Sequence, residues 1–394
     1  MATTGDSSPL DDPTVRKLAD LAAEAGLRRV HILAWRDLAD VEAGGSELHA
    51  ARVARLWAAA GLEVTMRTSF AQGHRPLATR DGYRIVRRAG RYAVFPRAAW
   101  DELTDRYGHR DGLVEIWNGM PFFSPLWDRG PRIALLHHAH TDMWRTALPP
   151  NWARVGDTVE RRIAPFVYRR TRIVTLSDSS KRELVNTLRL RPERISVVPP
   201  GIDERFGPAG AKAATPLAVA VGRLVPVKRY PVLIRAATDV RRRVPGFRLV
   251  IVGEGYERAD LEQLVDDLGA GDAVSLPGRL SDEQLVDLYR RAWVLVSTSA
   301  AEGWGMSITE AAACATPAVV TRVPGHEDAV VDGHTGLLVD RDDEGGFIDA
   351  LGGLLADERR RAHLGANAIR RAARFTWGHT AFEVLQALAD EALR

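Results

Sequence analysis

Short apolar runs, each closed by glycine or small polar residues, alternate with stretches whose apolar positions fall three and four apart. The first kind reads as buried strand and the second as amphipathic helix. Arg29–Trp35 is the first strand, and Ala43-Gly44-Gly45-Ser46-Glu47 opens a helix behind it. In that helix Val53, Leu56, Trp57 and Ala60 share one face, and Gly61 ends it. Glu63–Thr68 is the next strand. The chain therefore opens β-α-β, which predicts a parallel sheet with a right-handed crossover. Tyr83–Arg87, Leu113–Trp117, Arg132–Leu136 and Arg172–Leu176 continue the strands, the last followed by a helix capped from Ser177–Ser180. Ile195–Val198 then runs into Pro199-Pro200-Gly201-Ile202-Asp203.

From Glu204 to Thr215 the chain is rich in Gly, Ala and Pro and has no periodicity, so it reads as a linker. A second series follows at once. Its strands are Leu217–Val221, Leu249–Val252, Ala273–Leu276, Ala292–Ser299 and Ala318–Thr321, with 333–339 completing the sheet. Helices are predicted from about Tyr230, over Arg258–Leu268, over Asp282–Arg291 and from near Ser307. Two helical stretches end the chain, the last with Val384, Leu385, Leu388 and Ala392 on one face. The fold class is α/β: two doubly wound Rossmann-like domains, 1–203 and 216–376, on either side of a 204–215 linker and facing a cleft.

Bulk properties narrow the class. At 394 residues, two domains fit better than one core. The apolar fraction of 45% and charged fraction of 27% are those of an ordinary soluble protein. Net charge is only +3, without a dense basic cluster, so nucleic acid is not expected as a partner. The single cysteine, Cys314, excludes an intrachain disulfide and a cysteine-based metal cluster. Met1–Pro13 is polar and acidic, unlike a signal peptide, and no run approaches the roughly 20 apolar residues of a membrane helix. A cytoplasmic protein is expected, with residues 1–12 loosely ordered; peripheral membrane contact is a further partner considered.

The glycine-rich turns fall at the carboxyl ends of strands, where open α/β sheets bind ligands. Gly44-Gly45 follows the first strand and is not the G-x-G-x-x-G fingerprint, which counts against a dehydrogenase. His137-His138-Ala139-His140 closes another strand. No ligand partner at a recognisable spacing accompanies it, so a ligand-contacting or acid–base histidine fits better than a metal site. The stretch Glu302-Gly303-Trp304-Gly305-Met306-Ser307-Ile308-Thr309-Glu310 joins an apolar strand to a helix-forming run. Strand, glycine-rich turn and helix together present backbone N–H groups to a phosphate. Two carboxylates eight positions apart can then reach different parts of one ligand.

The order of these motifs resembles the retaining glycosyltransferases of family 4, group 1, which have the GT-B fold. The matching pieces are Gly44–Glu47, Pro199–Asp203, Gly222-Arg223-Leu224-Val225-Pro226-Val227-Lys228, Gly253-Glu254-Gly255, Pro277–Ser281 and the E-x7-E pair Glu302 and Glu310. Each is weak alone, but six in family order are specific. Pro200 departs from the family pattern, where Asn is common, so that turn is assigned a structural role. Trp304, where many relatives carry Phe, is a milder change.

The resemblance implies that 1–203 binds the acceptor, that 216–376 binds a nucleotide sugar, and that a helix over about 377–394 packs back on the first domain. Arg223 and Lys228 would neutralise the leaving diphosphate. Gly44, Gly45, Gly303, Trp304, Gly305, Met306 and Ser307 would line the donor. Glu310 would hold the ribose, Glu302 the transferred sugar, and Gly278, Arg279 and Leu280 the base. His138 is our choice for the histidine beside the reacting sugar, with His137 and His140 as alternatives. No metal and no cofactor are implied beyond the donor itself. The acceptor would be a sugar, a lipid-linked compound or a small molecule. Trp117, Phe122, Phe123, Trp127 and Trp144 could form an aromatic acceptor wall, although large aromatics are more often core. Arg145, Arg161 and Arg162 could favour an anionic or membrane-surface acceptor, although scattered solvated arginines are the plainer reading. A sugar-nucleotide epimerase of this fold, or a non-catalytic nucleotide-sugar-binding protein, is the alternative.

Overall fold

The computed structural model describes residues 12–140, 144 and 149–394. They divide into two compact units. Unit 1 takes in the described residues up to Leu176, then Ser180–Gly201 and Trp377–Arg394, and unit 2 takes Ser177–Ser179 and Ile202–Thr376. Each is built on a sheet whose central strands are buried on both faces, as parallel strands covered by helices must be, while edge strands are partly exposed.

Unit 1 carries β1 (Arg29–Leu33), β2 (Glu63–Thr68), β3 (Leu77–Arg80), β4 (Tyr83–Arg87), β5 (Gly112–Trp117), β6 (Arg132–Leu136), β7 (Arg172–Thr175) and β8 (Ile195–Val197). Their order is β3-β4-β2-β1-β5-β6-β7-β8, parallel except for β3. β3 is an element the sequence reading does not contain. It pairs antiparallel with β4 across Asp81-Gly82, both at positive φ, the turn type whose twist suits a two-residue hairpin. Unit 2 carries β9 (Leu217–Val221), β10 (Arg248–Val252), β11 (Val274–Gly278), β12 (Val294–Ser297), β13 (Ala318–Arg322) and β14 (Gly336–Asp340). Their order, β11-β10-β9-β12-β13-β14, is 3-2-1-4-5-6 in that unit's own count. Chain order thus reverses between β9 and β12 in unit 2, and between β1 and β5 in unit 1.

The core of unit 1 joins Val30, Ile32, Val64 and Met66 to Trp57 of the helix Gly45–Ala59 and to Val384, Leu385 and Leu388 of the helix Trp377–Ala392. Trp57 Nε1 also donates to the carbonyl of Ala381 at 3.0 Å. Asp12, placed by sequence among loosely ordered residues, caps the helix Pro13–Glu24 by accepting from Thr14 N at 2.7 Å. Residues 1–11 lie outside the described residues. In unit 2, Ala218, Ala220, Leu233, Ile234, Val294, Val296 and Val319 make the core. The segment 204–215 lies along this unit: Arg290 Nε bonds Gly207 O at 2.7 Å and Trp293 Nε1 bonds Ala213 O at 2.7 Å.

Candidate active site

In unit 2 the reversal of strand order brings together the loops after β9 and β12. Ligands of open α/β sheets bind at this crevice, because the flanking crossovers leave toward opposite faces. Lys228 ends the short 3-10 turn Pro226–Lys228 after β9, and Glu302 lies in the loop after β12. The Lys228 ammonium and the Glu302 carboxylate form an ion pair. Ser299 Oγ donates to the same Glu302 oxygen at 2.9 Å. Backbone bonds tie the loops: Ala300 N to Val227 O at 2.7 Å, and Thr298 Oγ1 to Lys228 O at 3.1 Å. Burial alone would raise the Glu302 carboxyl, but the Lys228 charge and its bond, with Ser299, outweigh it and hold the group at about 2. Buried His326, bonded to Thr321 O at 2.8 Å, completes this wall.

The helix Met306–Ala313 begins at Gly305, whose φ of +88 is a conformation glycine adopts without penalty. Met306 and Ser307 form the start of its first turn, where N–H groups have no partner within the helix. Glu310 lies one turn further and accepts from Tyr289 Oη at 3.0 Å. Burial pushes its carboxyl up to about 7, against the opposing effect of that bond. Arg223 is exposed beside the turn after β9. That turn interlocks with Gly253-Glu254-Gly255: Leu224 N donates to Glu254 O at 2.9 Å, and Gly253 N donates to Gly278 O at 3.0 Å. A Cβ on Gly253 would lie 1.9 Å from Gly222 O, so only glycine fits. Arg279 is exposed and Leu280 half-buried beyond it. Trp304 is turned inward, edge-on to Phe375 at 5.1 Å, which leaves only its backbone for a ligand.

In unit 1 the corresponding reversal lies between Gly44-Gly45 and Asn118, whose Nδ2 donates to Ser46 Oγ at 3.4 Å. Gly44 N donates to Glu47 Oε2 at 2.8 Å, while Arg36 Nε bonds Glu47 Oε1 at 3.2 Å, so that carboxylate secures the helix start. After β6, His137 turns inward. Its Nε2 lies 3.2 Å from His49 Nδ1, and burial drives both rings down, His49 to about 4, so the pair is neutral near pH 7. His138 and His140 are half-buried and stack at 4.9 Å. Buried Glu160 secures their turn by accepting from His140 N at 2.8 Å and from Trp144 Nε1 at 2.9 Å. The aromatic wall is corrected: Trp117, Phe122 and Trp144 are buried and serve the packing of unit 1. Arg145 lies outside the described residues.

Of the residues singled out from sequence, the structure pairs Lys228 with Glu302 and leaves Arg223 exposed beside the same turn; Ser299 and Tyr289, which bond Glu302 and Glu310, and His326 were not singled out. Ser299 is within three residues of Glu302, and His326 follows a Pro-Gly turn at a strand's end, so both carried a local signal. Tyr289 sits in the helix Asp282–Arg291 and is fully buried, so nothing local distinguishes it from core.

The family "Glycosyltransferase Family 4" matches residues 43–206, and "Glycosyl transferases group 1" matches residues 202–371. A D-inositol 3-phosphate glycosyltransferase of Nocardia farcinica is 36% identical over 65% of this chain and 61% of its own length. The chain thus spans under two thirds of that relative. The D-inositol 3-phosphate glycosyltransferase of Frankia alni is 30% identical over 88% of this chain and 94% of its own length. Among solved structures, a sucrose-phosphate synthase from Thermosynechococcus elongatus superposes with a TM-score of 0.78 at 20% identity, over 91% of this chain and 98% of that one. An Anabaena protein in complex with UDP and glucose does so with a TM-score of 0.71 at 16% identity, over 92% of this chain and all of that one. These structures share the fold of two Rossmann-like domains. With both halves matched and the Frankia relative aligned over nearly its whole length, the chain belongs to the group 1 glycosyltransferases of family 4.

Proposed function

We propose that this chain transfers a hexosyl group from a nucleoside-diphosphate sugar to an acceptor hydroxyl, with retention of anomeric configuration and without a metal ion. The observation that carries the reading is the Lys228–Glu302 pair at the strand-order reversal of unit 2. A diphosphate arriving there takes over the Lys228 ammonium, and exposed Arg223 reaches it with a forked guanidinium. The N–H groups of Met306 and Ser307 add donors at the helix start. Glu310 accepts from the ribose hydroxyls, Gly278, Arg279 and Leu280 line the base, and Glu302, released from Lys228, accepts from hydroxyls of the sugar. The assignments of Gly44, Gly45 and His138 in unit 1 rest on the family resemblance.

In the reaction, the acceptor oxygen bonds to the anomeric carbon while the bond from that carbon to the phosphate oxygen breaks. The bonding pair leaves with the phosphate oxygen, which takes the acceptor's proton. Attack and departure on one face retain the configuration without a covalent enzyme intermediate. Lys228 and Arg223 stabilise the charge that grows on the diphosphate, the task a metal performs elsewhere, so catalysis is positioning plus electrostatics. The relatives' names put a cyclitol phosphate first among acceptors to test, and the UDP-bound neighbour puts UDP-sugars first among donors.

Incubation with UDP-, GDP-, ADP- and dTDP-sugars, with and without acceptor and in excess chelator, tests the reading. Acceptor-dependent release of nucleotide that survives the chelator supports it. Proton NMR of the product reports the anomeric configuration, and an inverted product contradicts the retaining step. Conversion of the nucleotide sugar without acceptor would instead identify an epimerase.

A further inference from the structure

Between β6 and β7 the chain runs as one helical stretch through Pro150–Thr158, a wider π turn at Val159–Ile163, and Ala164–Val167. Its inward face is small and buried: Ala153, Gly156 and Ala164, with Glu160 between them. Its outward face is apolar and bare. Trp152 is 66% exposed, Val155 49%, Ile163 47% and Phe166 67%, with Val159 half-buried between them. The spacing of these five is three, four, four and three, so they form one continuous stripe roughly 21 Å long at the helical rise. Arg154, Arg161, Arg162, Arg169 and Arg170 are exposed on this stretch and just beyond it; Arg161 Nε pairs with Asp157 Oδ1 at 2.6 Å, and Glu160 is buried. The Arg169 guanidinium lies 4.6 Å over the Phe166 ring. A chain of net charge only +3 thus places five exposed arginines within and just after a stretch that carries an exposed apolar stripe.

We infer that this face of unit 1 docks onto an anionic lipid surface, with Trp152 and Phe166 entering the headgroup boundary and the arginines binding the lipid phosphates. Indole and phenyl rings suit that boundary, and arginine side chains lay their stems along apolar surface while the guanidinium stays with the anions. The pattern disfavours a second copy of the chain. A two-fold contact places the same patch on both sides, and here would set arginines against arginines. No helix among the described residues is long and apolar enough to cross a membrane, so the contact is peripheral.

Vesicle flotation with the full chain tests this without donor or acceptor, and so separately from the transferase reading. The protein is expected to float with vesicles of phosphatidylcholine containing about 30% phosphatidylglycerol, at least tenfold more tightly than with phosphatidylcholine alone, and to be released as salt is raised. Two double variants, Trp152→Ala with Phe166→Ala and Arg161→Glu with Arg162→Glu, are each expected to lose at least tenfold while melting as the parent does, because all four side chains are exposed. Absence of flotation with the anionic vesicles, or flotation unchanged in both variants, overturns the inference. So does a wild-type dimer in sedimentation velocity that the aromatic double variant dissociates, because the stripe then belongs to a second copy.

Discussion

Glu310 and Glu302 are both enclosed carboxylates, yet their surroundings drive them in opposite directions. Glu310 is pushed up to about 7 chiefly by burial, with the Tyr289 hydroxyl and the Arg205 charge opposing. The folded chain therefore keeps a proton that an unfolded one gives up near 4.5, and this group costs stability as pH rises from there through 7. In the proposed role of Glu310, donor binding follows the other sign, since the carboxylate rather than the acid accepts from both ribose hydroxyls. The donor KM is expected to fall as pH rises from about 6 to 8. Tyr289→Phe, which removes the bond favouring the carboxylate, should move that profile to higher pH; an unmoved profile in the variant contradicts the assignment. Glu302, held at about 2 chiefly by Lys228 against burial, contributes stability that is present above 4.5 and lost as pH falls through 2. Its charge is assigned to the sugar rather than the nucleotide. Glu302→Gln is expected to lower kcat by about a hundredfold while the donor KM changes by only a few fold; a loss confined to KM contradicts that role.

At the scale of elements, the glycine turns join strand to site. Gly253 lets the turn after β10 lie directly on the turn that carries Arg223, and a methyl group has no room there. Gly253→Ala is expected to destabilise unit 2 by on the order of 3 kcal/mol and to weaken donor binding, read by urea unfolding and titration. Most strands of both sheets were legible because buried parallel strands are continuous apolar runs, and the structure gives the expected helix Asp282–Arg291 a Ser281 cap. β3 was missed because Leu77–Arg80 is a half-exposed edge with no apolar run, although the Asp-Gly turn beside it was visible. The helical stretch from Pro150 was missed for a different reason. Its buried face is Ala and Gly, its large apolar residues face outward, and Pro149, Pro150, Gly156 and Pro165 interrupt the pattern. Tyr289 is invisible to any local reading because its partner, Glu310, is brought near only by the fold.

At the scale of the whole chain, the two units use one plan: a parallel sheet whose strand order reverses once, with glycine-rich turns at the reversal. Unit 1 is not contiguous in sequence, because the helix Trp377–Ala392 supplies Val384, Leu385 and Leu388 to its core. Removal of 377–394 is expected to abolish cooperative melting of unit 1, since three large buried side chains and the Trp57 bond go with it. A truncated chain that melts as the parent does contradicts that account. The central claim is that the reversal in unit 2 holds the diphosphate of a sugar nucleotide on Lys228. Its most direct test is calorimetric titration of UDP, GDP, ADP and dTDP into the wild type, into Lys228→Ala, and into Lys228→Ala with Glu302→Gln, the last sparing the fold an uncompensated carboxylate. One of the four nucleotides is expected to bind the wild type and to lose at least tenfold in both variants while their circular dichroism is unchanged; equal affinity in all three proteins contradicts the claim.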